Sequence, residues 1–292
     1  MDATSRIERA LAAAVVRAQG CGGHAGPPKL ADALHYAVFP RGARIRPRLT
    51  LAVAMACGED DPGLTDAAAA SIELLHCASL VHDDLPCFDD ADIRRGKPSV
   101  HKAFGEQIAV LAGDALIVLA FQTLAWAAIG APQRLGVLVD TVGRSVGMPR
   151  GITAGQAWEC ETEIDLAEYQ QEKTGALFAA ASVAGAAAAG AEAEPWRLLG
   201  ERLGAAYQVA DDIRDVACNA EELGKPIGQD QAHARPSAVT LHGMEGALRL
   251  LKELAAGAVA SIPDCPGAAE LRAHILSESQ RLVPKQLSAR AA

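Results

Sequence analysis

The sequence predicts an all-α protein, and three observations carry that expectation. No segment sustains the apolar–polar alternation of a half-buried strand. Aromatic residues, which sheets favour, make up only 4% of the chain. Apolar, Ala-rich segments recur instead, bounded by Gly, Pro and capping residues in the manner of helices. At ordinary helix lengths 292 residues make roughly ten or more helices. Half of the residues are hydrophobic, enough for a sizeable core, and no long linker or low-complexity tail interrupts them, so residues 1–292 are read as one domain.

The N-terminal stretch MDATSRIERALAAAVVRAQG reads as an amphipathic helix, with Ser5 and Glu8 in capping-box spacing and Gly20 as its stop. Arg6, Glu8, Arg9 and Arg17 break any apolar run, so it does not read as a signal peptide. A Gly/Pro loop from Gly20 to Pro28 leads to a second helix, Leu30 to Val38. Next comes FPRGARIRPRL, where Arg41, Arg44, Arg46 and Arg48 crowd around Gly42 and Pro47. This is either an exposed basic loop or an anion site. Pro47 suits the first turn of the following helix, and arginine forks grip phosphates bidentately.

That helix, Leu49 to Cys57, closes at Gly58, and Thr65 or Asp66 caps the long helix through Ala67–Val81. Pro86 disfavours helical geometry at Leu85 and ends it there. Ser99 caps a short helix, and a long apolar segment runs from beyond Gly105 to Ala128, interrupted by Gly113 and Asp114. No run in it reaches membrane-spanning length without a charge, so no transmembrane segment is expected. Pro132 to Val146 is another helix, and the chain turns around Gly147, Pro149 and Gly151.

Asp165 and Glu168 make a further capping pattern, for a helix running into Lys173-Thr174-Gly175. Gly175 weakens the helix and marks a kink that aims Lys173 inward, against the simpler reading of an exposed lysine. Phe178 to Ala191 is nearly all Ala and Gly, suited to close helix packing in a core or at a dimer interface. Pro195 opens the helix that ends in QVADDIRDV. Gly224-Lys225 and Gly228-Gln229-Asp230 form a polar loop, and the last third offers helices broken near Pro263 and Pro266.

The net charge of −9 argues against nucleic acid as a partner and requires any anionic substrate to find metal or a local arginine cluster. Seven cysteines, an odd number with no CxxC and several in apolar segments, read as reduced and mostly buried thiols of a cytoplasmic protein.

Two acidic clusters stand out. In HCASLVHDDLPCFDDADIRRG (His76 to Gly96) the aspartates Asp83, Asp84, Asp89, Asp90 and Asp92 precede Arg94 and Arg95. Asp83 and Asp84 fall in the last helical turn, where the dipole disfavours carboxylates. In the second cluster Asp211, Asp212 and Asp215 are three and four apart, a spacing that puts like charges on one helix face. For one cluster alone a solvated acidic loop is as good a reading as a metal site; a second cluster, also ending an apolar helical segment, tips the balance. Two walls of one metal-filled pocket explain both, and magnesium fits best, since it takes few carboxylates, keeps waters and bridges to substrate phosphates. His76 and Ser79 share the helix face of Asp83.

In these residues the chain resembles the short-chain trans-polyprenyl diphosphate synthases, and among them the bacterial geranylgeranyl diphosphate synthases of carotenoid and photosynthetic-pigment pathways. DDLPCFDDADIRRGKPS resembles the family's first Asp-rich motif, in its form with two extra residues (Pro86 and Cys87), and DDIRD resembles the second. Gly113-Asp114, Gly155-Gln156, Lys173-Thr174-Gly175 and Gln208 fall between them in the family's order.

The resemblance implies the isoprenoid-synthase helical bundle around a deep central cavity, usually a homodimer. It implies condensation of isopentenyl diphosphate with dimethylallyl, geranyl or farnesyl diphosphate, through magnesium-assisted ionisation and carbocation addition, to give geranylgeranyl diphosphate. Asp83, Asp84 and Asp89 would hold metal on one side and Asp211, Asp212 and Asp215 on the other, with three magnesium ions when substrate is bound. Arg46, His76 and Arg95 would hold isopentenyl diphosphate, and Arg94, Lys173, Thr174, Gln208 and Lys225 the allylic diphosphate. Ala78 and Ser79 would set product length, since both are small where farnesyl-making members commonly carry an aromatic. Two departures stand against this. The family's lysine in Gly-Gly-Lys-Arg is Ala43, for which Arg41 and Arg44 are the candidate substitutes, and a lysine followed by Ser-Thr-Tyr-Pro is replaced by Arg235 and Pro236-Ser237-Ala238-Val239. The alternatives are a farnesyl diphosphate synthase of the same family, a class I terpene cyclase, a non-catalytic partner subunit, and a helical metal phosphohydrolase using His76, His82 and Asp83.

Overall fold

The computed structural model describes residues 2–21, 24–39, 42–163, 168–169, 171–217 and 237–282. They are all-α, as the sequence predicts: twelve α-helices, three short 3₁₀ or π turns and two hairpins of two-residue strands. The chain divides into two compact units, residues 1–143 with 183–193 and residues 144–182 with 194–292.

The first unit holds α1 (Ala3–Gln19), α2 (Pro28–Val38), α3 (Ile45–Ala56), α4 (Pro62–Asp83), α5 (Val100–Phe104) and α6 (Glu106–Ala127). It also holds most of α7 (Pro132–Val146). Helix α4 is its centre and packs on α6, α3, α1 and α2. Leu64, Ile72, Leu74 and Leu75 of α4 are fully buried, as are Leu116, Leu119 and Leu124 of α6.

Two caps differ from expectation. Helix α1 is capped by Asp2, whose carboxylate accepts from Ser5 N at 3.0 Å, and Glu8 is drawn instead to Arg44. Helix α4 starts a turn earlier than expected, with Pro62 in its first turn and Asp61 accepting from Leu64 N at 3.0 Å. Thr65 donates to the Asp61 carbonyl, and Asp66 pairs with Arg6. In both places several cap-type residues lie within one turn, and the one with a helical N–H three residues on takes the role.

Helix α6 runs unbroken through Gly113 and Asp114. A Cβ on Gly113 would lie 2.0 Å from His82 Nε2, so the glycine is where α6 passes the last turn of α4. Gly185, in the small-residue stretch, likewise lets its helix touch α3: a Cβ there would meet the Thr50 carbonyl oxygen at 2.4 Å. Two helical stretches, Pro62–Asp83 and Glu106–Gly130, are long and apolar enough to cross a membrane. The first is mostly buried inside its unit, and the second contains Asp114.

The second unit holds α8 (Ile152–Trp158), a π turn (Gln171–Gly175), the first part of α9 (Ala176–Ala188), α10 (Arg197–Ala217), α11 (Ala238–Ala260) and α12 (Ala268–Leu282). Helices α10 and α11 share a core of Ala206, Val209, Ala210, Ile213, Ala247 and Leu251. Gly243, at φ 67°, kinks α11 one turn after it begins. Helix α8 follows the turn at Gly151, where the sequence set no helix bound. The cap expected at Asp165 lies outside the described residues, and the irregularity expected at Gly175 takes the form of the π turn.

Candidate active site

In the first unit the aspartates close the C-terminal end of α4. Asp83 is the last helical residue and Asp84 the C-cap. The loop beyond folds back on the helix: Asp89 N donates to the Asp83 carbonyl at 3.0 Å, Asp90 N to Leu85 at 3.1 Å and Ala91 N to Asp84 at 3.2 Å. These bonds satisfy carbonyls that a helix end leaves open, and they hold Asp89 beside Asp83.

A hairpin follows, Ile93–Arg94 against Lys97–Pro98, and its two turn residues, Arg95 and Gly96, both have positive φ (53° and 76°), the geometry of a tight two-residue turn. Tyr36 OH and Lys97 Nζ anchor it, donating to the carbonyls of Pro98 and Phe39. The hairpin presents Arg94 to the aspartates. Arg94 donates to both oxygens of Asp84 and stands 4.0 Å from Asp83. Asp84 is buried, and burial raises its carboxyl above the ordinary range despite Arg94. Asp83 retains 17% side-chain exposure.

Arg95 lies over Gly42, where a Cβ would sit 2.7 Å from the guanidinium carbon. His76 is partly buried on α4, and burial, then the charges of Arg46, Arg95, Arg94 and Arg44, hold it well below the usual histidine range. The structure thus gathers Arg46, His76 and Arg95 into one cationic patch with a neutral imidazole. Arg44 belongs to the framework instead. It is buried, in left-handed backbone (φ 51°), and donates to Glu8 at 3.0 Å, Glu73 at 2.6 Å and the Val38 carbonyl at 2.9 Å. It therefore does not replace the lysine missing at the exposed Ala43, and Arg41 lies outside the described residues. Ala78 is buried and Ser79 partly buried, its hydroxyl donating to the His76 carbonyl. His82 is bound to α6, its Nε2 3.2 Å from the Val110 carbonyl oxygen, and it joins no group of three His, Cys, Asp or Glu that could hold a metal among the described residues.

In the second unit Thr174, Gln208 and Asp212 form one chain of hydrogen bonds. Thr174 Oγ1 donates to Gln208 Oε1 at 3.1 Å, and Gln208 Nε2 donates to Asp212 Oδ1 at 3.0 Å. Asp212 Oδ2 accepts from Ala238 N, in the first turn of α11, at 2.7 Å. Gly204 permits this assembly, since a Cβ there would meet Gly175 Cα at 2.8 Å. The expected common face of the three aspartates is divided: Asp212 is buried against α11, whereas Asp211 and Asp215 are partly exposed. Lys173 donates to Glu159 at 2.6 Å, and Glu159 also accepts from Tyr169 and Gln156. Sequence reasoning passed over Glu159; its only signal was its place after Gly155-Gln156. Lys225, Arg235 and Pro236 lie outside the described residues.

Among the described residues no three His, Cys, Asp or Glu side chains converge into a ready-made metal cage. The all-oxygen donors at the two helix ends suit a hard cation that keeps waters and shares substrate phosphates, as magnesium does.

A sequence model of polyprenyl synthetase matches residues 27–263. The chain is 59% identical over 285 residues to a geranylgeranyl diphosphate synthase of Cereibacter sphaeroides, covering 98% of each, and 56% identical over 271 residues to one of Rhodobacter capsulatus, covering 93% of each. A crystal structure of geranyltransferase from Helicobacter pylori, complexed with magnesium and isoprenyl diphosphate, superposes with a TM-score of 0.81 at 29% identity, over 96% of both chains. A family match across most of the chain, near-full-length likeness to two synthases and a shared fold agree, and the chain belongs to the polyprenyl synthetase family.

Proposed function

We propose that the protein is a geranylgeranyl diphosphate synthase, condensing isopentenyl diphosphate with an allylic diphosphate. The observation that carries this reading is the near-full-length likeness to the Cereibacter sphaeroides synthase, in a chain that keeps both Asp-rich helix ends.

Asp83, Asp89, Asp211 and Asp215 would hold magnesium, with Asp84 and Asp212 completing the clusters through Arg94 and Gln208. Magnesium, when bound, supplies the positive charge that stabilises the departing diphosphate. Arg94, Lys173, Thr174 and Gln208, with Lys225, orient the allylic diphosphate. Arg46, His76 and Arg95 grip isopentenyl diphosphate and point its double bond at the allylic carbon. Loss of diphosphate leaves an allylic cation, the double bond adds to it, and a proton leaves to complete the step. Apolar helix walls keep water from the cation.

Product length rests on α4. A helix rises ~1.5 Å per residue, so Ala78 lies roughly 7 Å before Asp83 along the axis. With Ala78 and Ser79 both small, the growing chain has room for a fourth isoprene unit. The single domain is further proposed to work as a homodimer, because Val110, Leu111 and Val118 leave an apolar strip of α6 exposed. The cytoplasm is its proposed site, in keeping with reduced thiols at Cys77, Cys87, Cys160 and Cys265, of which Cys87 and Cys160 are exposed where burial was expected. One of these, Cys77, is buried, and burial pushes its thiol up to about 12.

The test is incubation with magnesium, isopentenyl diphosphate and each of dimethylallyl, geranyl and farnesyl diphosphate, followed by product identification. Twenty-carbon diphosphate as the main product supports the proposal, and Ala78→Tyr should shift it to fifteen carbons. A wild type that stops at fifteen carbons overturns the product assignment. No condensation at all overturns the function.

A further inference from the structure

Glu159 belongs to neither aspartate motif, yet the second unit is built to hold it. It is the C-cap residue of α8, where the helix dipole disfavours a carboxylate. Three donors offset that. Lys173 Nζ at 2.6 Å and Tyr169 OH at 2.5 Å share its Oε1, and Gln156 Nε2 reaches Oε2 at 2.9 Å. The Lys173–Glu159 pair is only 19% and 18% exposed, so it is screened less than a surface ion pair. The Lys173 ammonium also lies 5.7 Å from the centroid of the Tyr169 ring.

The backbone is arranged to the same end. A Cβ on Gly155 would sit 2.5 Å from Lys173 N and 2.7 Å from its Cα, so only glycine lets α8 come this close to the π turn. At the other end of α8 the buried Glu172 accepts from Gly151 N, the N-cap residue. Adjacent residues of the π turn thus bind both ends of α8, Glu172 its start and Lys173, through Glu159, its finish. A lysine stem is long and flexible, and a fixed carboxylate is what restricts its ammonium to one place. An ammonium carries three donors, so it can hold Glu159 and a diphosphate oxygen together.

We infer that Glu159 is a positioning residue that fixes Lys173 for the allylic diphosphate, with Gln156 and Tyr169 orienting Glu159 in turn. This rests on the reading of Lys173 as a ligand of that diphosphate. Glu159→Gln keeps the size but loses the charge and turns an amide donor toward other donors. In steady-state assays of the full chain with magnesium, it lowers kcat/KM for the allylic diphosphate about tenfold, the scale of one charge-assisted hydrogen bond. The KM for isopentenyl diphosphate stays within about twofold, a selectivity that general loss of structure would not give. In a Lys173→Ala background the same substitution costs no more than about a further twofold, because the two act as one unit.

Tyr169→Phe removes a single donor to Glu159 and gives a smaller loss with the same dependence on Lys173, which keeps the test open if Glu159→Gln folds poorly. Independent, multiplicative losses from Glu159→Gln and Lys173→Ala overturn the inference, as does a wild-type Glu159→Gln beside an impaired Lys173→Ala. An unimpaired Lys173→Ala overturns the reading of Lys173 and this inference with it.

Discussion

The two aspartate clusters look alike in sequence and differ in how the protein holds them. At the end of α4 the buried acid, Asp84, is matched by a charge: Arg94 donates to both of its oxygens from a hairpin ten residues on. At the end of α10 the buried acid, Asp212, accepts from the Gln208 amide and from the backbone N–H of Ala238, where α11 begins. In each cluster one carboxylate is committed to framework while Asp83, Asp89, Asp211 and Asp215 remain partly exposed. The difference teaches that an Asp-rich motif is not a uniform set of metal ligands. Its members divide between binding and alignment, and at the end of α4 the partner that aligns Asp84 also brings a positive charge to within 4.0 Å of Asp83.

The strongest break of this picture removes the partly exposed acids. Asp83→Ala and Asp211→Ala should each lower turnover by about a thousandfold, since metal stabilisation of a leaving group contributes several kcal/mol. Thermal midpoints without magnesium should stay level or rise, because each change relieves repulsion between like charges. A marked fall in midpoint from either variant would show these acids to be structural.

The buried acids should behave the opposite way. Asp84→Ala leaves Arg94 without its main counter-charge and should cost about 2–3 kcal/mol of stability, less than the ~3–5 kcal/mol typical of breaking a fully buried pair because Arg94 keeps some exposure. Asp212→Ala leaves the Ala238 N–H and the Gln208 amide unmatched and should cost about 1–2 kcal/mol. Urea unfolding without magnesium measures both. If Asp83→Ala proves as destabilising as Asp84→Ala, the proposed division within the cluster fails.

That division was not legible in the sequence, and the reason is physical. Helix existence was: Pro132 and Val146 bound α7 where expected, and Gly20, Gly58 and Pro195 mark real boundaries. Such signals are local, set by φ restriction and by the loss of a backbone donor at proline. Caps were half legible, because Asp2, Ser5, Asp61, Thr65 and Asp66 are all competent and tertiary partners decide among them. The π turn at Gln171–Gly175 adds a residue to one helical turn, and apart from Gly175 no local residue type announces it. Arg44 with Glu73, Lys173 with Glu159 and Asp212 with Ala238 join residues 14 to 29 apart. A helical wheel for α10 put Asp212 with Asp211 and Asp215, and only the arrival of α11 shows that it is buried.

The cationic field in the first unit can be tested directly. Arg46→Ala should raise KM for isopentenyl diphosphate by tenfold or more, about 1.5–3 kcal/mol for a charged hydrogen bond, with a much smaller change for the allylic partner. With Arg44 committed to Glu8 and Glu73, Ala43→Lys should tighten isopentenyl diphosphate binding by about fivefold, roughly 1 kcal/mol for a partly exposed charge. An unchanged KM would mean that other cations already saturate the site, and equal effects of Arg46→Ala on both substrates would remove the assignment of Arg46.

The smallest expected effect concerns His76, and it tests the cationic patch of the first unit by pH alone. Burial and the neighbouring charges of Arg46, Arg95, Arg94 and Arg44 hold His76 well below 6.5. The folded protein therefore keeps the imidazole neutral at a pH where the unfolded chain has begun to take up its proton. Proton uptake by the unfolded state alone favours unfolding, so this contribution is absent well above pH 6.5 and destabilises progressively as pH falls below it. His76→Asn removes the titrating group while keeping a polar side chain of related size. The thermal midpoint of the wild type should then fall more steeply between pH 7 and pH 5 than that of the variant, the difference opening below about pH 6.5. Isopentenyl diphosphate bound to the patch adds negative charge beside the imidazole and should narrow the difference by making protonation less costly. Parallel curves for the two proteins would mean that His76 is not held neutral by burial and the arginines, and the cationic patch of the first unit would lose its chief support.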